Sequence, residues 1–86
     1  MSAEIPRYAR GVRMHTEGDE AAYLLVPEGV LDLNPSARAI LELVDGSRST
    51  SEIAAVLAQR YEAPHEELLS DVHELCTSLR SRGFLT

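Results

Sequence analysis

The sequence predicts an α+β domain in which a three-stranded antiparallel β-meander is followed by three helices. Two observations carry this prediction. Short apolar runs separated by tight-turn residues fill the chain to about residue 33, and the apolar residues after that recur at helical spacing. The 86 residues leave room for one such domain. We expect a flexible arm over residues 1–9 and a single domain over 10–86, with strands at about 11–33 and helices at about 35–82.

The strands are predicted from apolar runs and the turns between them. Val12 to His15 alternates apolar and polar residues, which is typical of a strand with one solvated face. Gly18 follows in a polar turn and can take the positive φ that hairpins favour. Residues 21–26 are apolar at both parities, which indicates a strand covered on both faces. Pro27-Glu28-Gly29 turns the chain into a third strand, Val30 to Leu33, which we expect at an edge of the sheet.

The first two helices are predicted from their capping residues. Asn34 is a good N-cap, and Pro35 suits the first helical position because the N–H that it lacks has no partner there. The helical spacing that follows is expected to end at Asp45-Gly46. Ser49 and Glu52 form a capping-box sequence, which predicts the start of the second helix.

The third helix carries a broad apolar stripe. Pro64 is suited to its first turn, and Gly83 is expected to stop it after about Arg82. Its apolar side chains cover roughly 120° of the circumference, at about 100° per residue. We call this set the apolar arc; it comprises Leu68, Leu69, Val72, Leu75, Cys76 and Leu79. Because Cys76 lies within the arc, we expect a buried, inert thiol.

Charge and composition argue against several classes of function. The net charge of −6, from 14 acidic and 8 basic side chains, argues against a nucleic-acid partner because phosphates would be repelled. No segment approaches the roughly 18 apolar residues needed to span a bilayer, so no membrane partner is expected. Cys76 is the single cysteine, and the first residues lack the basic and apolar regions of a signal peptide. We therefore expect a cytoplasmic protein.

The residue types needed for catalysis or metal binding do not occur in usable patterns. His65 and His73 lie two helical turns apart, about 12 Å along the axis, which is too far to share one metal ion. His15 falls on the solvated face of its strand, and His65 is expected to have a capping or partly buried role. Ser36 and Ser51 are outside the Asp-Ser-Leu context of a phosphopantetheine carrier. We expect no enzyme activity, no cofactor and no metal.

The predicted third strand offers a different kind of site. A three-stranded meander has two open edges, each with a row of unpaired N–H and C=O groups. A peptide can add to such an edge as a further strand, and the apolar arc could supply pockets for its side chains. The alternative is that the arc is entirely core and the edge is solvated. The pattern alone leaves both interpretations open.

Four strings occur in a particular order and spacing: Leu24 to Asn34, Ala39 to Gly46, the Ser49-x-x-Glu52-Ile53 helix start, and Asp71-Val72. Together they resemble the PqqD family of pyrroloquinoline quinone biosynthesis. The resemblance implies a winged-helix-like arrangement and a peptide-recognition domain. It also implies that the chain binds the precursor peptide PqqA and presents it to the radical SAM enzyme PqqE.

The resemblance also implies where the peptide lies. Carried over by position, the strand contacts are Val30, Leu31, Asp32 and Leu33, and the helix contacts are the apolar arc, Leu68, Leu69, Val72, Leu75, Cys76 and Leu79. We expect Leu31→Pro to bar strand addition if the Leu31 N–H points outward.

Three matters stay open at the level of sequence. The chain could serve another modified-peptide pathway. It could be a winged-helix DNA-binding protein, although the helix that would read DNA carries one base, Arg60, against Glu52 and Glu62. It could also be a monomer or a homodimer, because an open strand edge permits strand exchange.

Overall fold

The computed structural model describes residues 4–86 and confirms the predicted α+β architecture of three antiparallel strands followed by three helices. The elements are β1 (Arg13–Glu17), β2 (Ala21–Val26), β3 (Gly29–Asp32), α1 (Pro35–Leu41), α2 (Thr50–Tyr61) and α3 (His65–Ser81). The sheet order is β1-β2-β3, so β3 lies at an edge as predicted. None of the helices within residues 4–86 combines the length and the apolar character that crossing a membrane requires.

The two hairpins form at the predicted turns. Gly18 takes a φ of 59° between β1 and β2. Between β2 and β3, Val26 lies opposite Gly29, so the loop consists of Pro27 and Glu28 alone. Proline holds its own φ near −65°, which does not suit the turns that match strand twist. Gly29 takes a φ of 154° directly after this loop, a conformation open to glycine because it has no Cβ.

The sheet is covered on one face. The inward side chains of β2, Ala22 and Leu24, are buried against the helices, whereas Tyr23 and Leu25 are half-buried on the other face. Their cover there comes from cross-strand neighbours, since the His15 ring stacks on the Tyr23 ring with centroids 6.5 Å apart. The expectation that β2 is covered on both faces is therefore wrong within the described residues. Apolar residues occur at both odd and even positions of β2 because Tyr23 and Leu25 pack against side chains of neighbouring strands on the open face.

The helices begin as predicted. The Asn34 side chain accepts a hydrogen bond from the Ala37 N–H at 2.7 Å. Both bonds of the capping box are present at α2: Glu52 N–H donates to Ser49 Oγ at 3.1 Å, and Ser49 N–H donates to the Glu52 carboxylate at 2.8 Å. However, α1 ends at Leu41 rather than at Asp45-Gly46. The apolar pattern continues beyond the helix because Leu43 and Val44 enter the core from a turn.

The chain from residue 4 to residue 9, part of the predicted flexible arm, lies on the C-terminal segment. Arg7 exchanges two backbone hydrogen bonds with Thr86, at 2.8 and 3.3 Å, and Ala9 N–H donates to Phe84 O at 3.0 Å. The Glu4 carboxylate pairs with Arg80 at 2.7 Å. The first three residues of that arm lie outside the described residues.

Tyr8, in the segment of residues 4–9, makes the stability of the fold sensitive to alkaline pH. Its hydroxyl donates to Leu41 O at 2.7 Å, and burial, with a smaller contribution from Glu42, raises the pKa of Tyr8 to about 12. The unfolded chain releases this proton near pH 10. We therefore expect the free energy of unfolding to fall between about pH 10 and 12, since the folded state holds the proton more tightly. Urea unfolding at successive pH values measures this loss.

The Tyr8→Phe variant is the control, because other groups also titrate at high pH. It lacks the hydroxyl, so we expect lower stability than wild type at pH 8 and a shallower fall above pH 10. Parallel curves for the two proteins would contradict a buried, hydrogen-bonded Tyr8.

Candidate functional site at the sheet edge

The backbone of β3 presents hydrogen-bonding groups to solvent at alternate residues. Leu33 N–H donates to Ala22 O at 2.9 Å, and in the same register Leu31 lies opposite Leu24. Hydrogen-bonded and non-hydrogen-bonded pairs alternate along an antiparallel ladder. Leu31 therefore turns its N–H and C=O toward β2, whereas Val30 and Asp32 turn theirs to the free edge. Leu31→Pro was expected to bar strand addition only if the Leu31 N–H points outward. This N–H points toward β2, so the variant does not test the free edge.

The side chains of β3 alternate between the two faces of the sheet. The residues whose backbone groups face the free edge have their side chains on the open face. Leu31 and Leu33 are partly buried and pack against the core on the helix side. Val30 and Asp32 lie on the open face of the sheet, where the Val30 side chain is 59% exposed. A strand added at this edge would thus bond to the backbone of Val30 and Asp32. Its own side chains on the helix side would meet Leu31 and Leu33.

The apolar arc of α3 divides into core residues and accessible residues. Val72, Cys76 and Leu79 are 0%, 1% and 4% exposed, so they support the surface from beneath. Leu68, Leu69 and Leu75 are half-buried and have surface left for a ligand. The division arises because α3 packs on α2, and this contact takes up the centre of the arc.

The polar side chains of α3 do not form a catalytic or metal-binding group. Burial raises the pKa of the Cys76 thiol, which favours its protonated, unreactive form. The Nε2 atom of His73 lies 3.2 Å from Thr50 Oγ1, and that of His65 lies 3.2 Å from Ser51 O. Both histidines therefore contact the start of α2. Residues 4–86 contain no group of three or more His, Cys, Asp or Glu side chains that could hold a metal ion.

Three hollows lie along the chain from β3 into the helices, one beside β3 and two against α3. The hollow beside β3, of 320 Å³, includes Val30 and Leu31 on one side and Arg82 and Phe84 on the other. A second, of 370 Å³, lies at the end of β3 between Asn34, Ala37 and Leu75. A third, of 230 Å³, lies between the three helices, with Leu68 on its wall. We call these three hollows the groove. The second and third share lining residues and contain Leu75 and Leu68, whereas the first is bordered by β3 and by residues that follow α3.

Leu69 lies elsewhere. It borders a wide, shallow depression of 640 Å³ on another side of α3, together with His73, and no residue of the sheet lines that depression. Of the predicted contacts, Val30 and Leu31 border the first hollow of the groove, Leu75 the second and Leu68 the third, whereas Leu69 borders none of the three.

Phe84 and Arg82 are among the residues that border the groove without having been predicted as contacts. Phe84 reaches it because the chain turns back at Gly83, with Phe84 N–H donating to Leu79 O at 2.8 Å. The Arg82 guanidinium lies 5.1 Å from the centroid of the Phe84 ring. The signal in the sequence for this turn is Gly83, after which Phe84 and Leu85 are apolar and fold back on α3.

Comparison with known proteins identifies the family. The model of the family Coenzyme PQQ synthesis protein D (PqqD) matches residues 12–85. The PqqA binding protein of Bradyrhizobium diazoefficiens is 37% identical over 82 residues, which cover 95% of this chain and 78% of that protein. The bifunctional coenzyme PQQ synthesis protein C/D of Methylorubrum extorquens is 36% identical over 84 residues, 96% of this chain and 23% of that longer protein.

A solved structure extends the likeness to the fold. The solution NMR structure of the PqqD truncation of Methylobacterium extorquens PqqCD superposes with a TM-score of 0.82 at 35% identity. The match covers 94% of this chain and 87% of that chain, which represents a functional, stand-alone recognition element for ribosomally synthesised and post-translationally modified peptides. The Bradyrhizobium relative is named for binding PqqA and the solved neighbour for peptide recognition, in agreement with the prediction that this chain is not an enzyme. The chain belongs to the PqqD family.

Proposed function

We propose that this chain binds the precursor peptide PqqA as a fourth strand on β3 and presents it to the radical SAM enzyme PqqE. The observation that supports this most is the free edge of β3, where the backbone groups of Val30 and Asp32 face outward beside a hollow bordered by Phe84. Main-chain bonds to such an edge supply affinity, and side-chain pockets supply selectivity. The names of the relatives support PqqA as the peptide.

In this function the chain contributes binding rather than chemistry. A peptide held on β3 is extended and has one face turned to the groove, so its remaining residues are free to enter another protein's active site. A peptide carried by a protein that also contacts the enzyme has a raised effective concentration there. We place this work in the cytoplasm, where the single thiol of Cys76, which is buried and free, stays reduced.

The test is a calorimetric titration with synthetic PqqA from the same organism, followed by amide hydrogen exchange. We expect saturable binding. The amides of Val30 and Asp32 should exchange quickly in the free protein and slowly in the complex, since the added strand covers them. The Leu31 amide should be protected in both states because it already bonds to β2. Protection confined to the depression around His73, with β3 unchanged, would contradict binding at the edge.

Presentation to PqqE is tested by a separate measurement. PqqE turnover of PqqA, at a peptide concentration well below saturation, should rise when this chain is added. A variant that cannot bind the peptide should give no rise. If the chain binds PqqA but leaves PqqE turnover unchanged, then it captures the peptide without presenting it.

A further inference from the structure

The third hollow of the groove has the character of a side-chain pocket. Its floor is formed by Ile40 and Leu57, which are 4% and 2% exposed. Leu68 and Tyr61 form its walls, and Tyr61 is 56% exposed although it is large and aromatic. The volume of 230 Å³ corresponds to about eight water molecules at about 30 Å³ each. Water in such an apolar site has few partners, so an apolar group that displaces it gains affinity.

This hollow adjoins the second hollow of the groove. It shares Ser36, Ile40 and Asp71 with the second hollow, which begins at Asn34, two residues beyond the last residue of β3. A peptide paired with β3 therefore reaches the third hollow if it continues past the end of that strand. The hollow extends the site beyond the sheet edge to residues of α1 and α2.

The two ends of the groove differ in charge. Beside β3, the first hollow is bordered by one basic residue, Arg82, and one acidic residue, Glu28, so their charges balance. At the helical end, the second and third hollows are bordered by Asp71 and Glu74, with no basic side chain among their lining residues. None of the ion pairs found within residues 4–86 involves Asp71 or Glu74. A positively charged group placed there would meet carboxylates free of competing cations.

We infer that the hollow between α1, α2 and α3 is an anchor cavity for one apolar side chain of the bound peptide, and that the peptide carries a positive charge next to this side chain, facing Asp71 and Glu74. This inference rests on the proposed function, since the occupant is the peptide that pairs with β3. The positive charge is a Lys or Arg side chain, or the amine of the peptide's N-terminus.

Calorimetric titration of PqqA against four variants tests the inference. Ser36→Phe fills the mouth of the cavity and Tyr61→Ala removes a wall; both residues are exposed, so the fold is retained. We expect each to weaken binding by about tenfold. Asp71→Asn should weaken binding about two- to fivefold and make it less sensitive to salt. Glu66→Gln, the same loss of charge on α3 outside the groove, should have no effect.

Changes in the peptide identify the two groups. Alanine replaces each apolar residue of PqqA in turn, and the anchor is the residue whose replacement has no further effect in Tyr61→Ala. Each Lys and Arg of PqqA is also replaced by alanine, and the charged partner is the residue whose replacement has no further effect in Asp71→Asn. Acetylation of the peptide's N-terminus tests the amine in the same way. Wild-type binding that is unchanged in Ser36→Phe and Tyr61→Ala would overturn the anchor cavity alone. An unchanged Asp71→Asn would overturn the positive charge, and a wild-type protein that binds no PqqA would overturn the proposed function itself.

Discussion

Val72→Asp is expected to unfold the domain. The Val72 side chain is fully buried at the centre of the contact between α2 and α3, in the same core as Ile53 and Leu57. A carboxylate there has no described partner within the core and loses its hydration, which costs roughly 4 kcal/mol or more. Domains of this kind have total stabilities of only about 5–15 kcal/mol. Urea unfolding followed by circular dichroism should show either no cooperative transition or a midpoint far below that of wild type.

Two further variants make the test graded. Val72→Ala removes two methyl groups without adding charge and should cost about 2 kcal/mol. Leu69→Asp introduces the same carboxylate on the same helix but at a half-buried position, so we expect a loss of about 1 kcal/mol. Equal losses for Val72→Asp and Leu69→Asp would show that the arc is not divided into core and accessible residues as described.

Val30→Pro is expected to abolish most peptide binding and to keep the fold. Proline at this position removes an N–H that faces the free edge, so no bond of the β2–β3 ladder is lost. Its ring also occupies the space that an added strand needs. Loss of one backbone hydrogen bond costs about 1 kcal/mol, and the steric clash adds to this. We therefore expect affinity for PqqA to fall by about tenfold or more, measured by calorimetry.

The control variants separate the backbone from the side chain. Val30→Thr keeps the N–H and the side-chain shape, so its affinity should stay close to that of wild type. Leu31→Pro removes an N–H that bonds to β2 and should destabilise the protein by about 3 kcal/mol. If Val30→Pro binds PqqA as tightly as Val30→Thr does, then the peptide does not pair with this edge.

Local signals predicted the elements well because the forces that start them act within a few residues. Asn34 and the Ser49–Glu52 box cap α1 and α2 as expected, and the turn residues at Gly18 and Pro27 separate the strands. The end of α1 was predicted less well. Leu43 and Val44 satisfy the apolar pattern from a turn, since a side chain reaches the core in either conformation.

The peptide contacts on the third strand and the third helix stay predictions. The structure places Leu31 and Leu75 at separate hollows, and the division of the helix could not be read from an arc of equivalent apolar residues. Leu79 and Leu75 have the same chemistry, and the tertiary packing buries the first more deeply than the second. The sequence likewise could not show which residues of β3 present their N–H and C=O groups to the free edge, because a shift of one residue in register turns every backbone group to the opposite side.

The sequence by itself determined the order of the elements, the edge position of the third strand, the absence of usable catalytic patterns and the likeness to the PqqD family. These depend on spacing, capping and composition, which are properties of neighbouring residues. The tertiary structure decided that Val30 and Asp32 face outward, that Val72 is core, and that Ile40, Leu57 and Leu68 meet around a cavity. Those relations join residues from separate elements, and only the packing of the whole chain sets the distances between them.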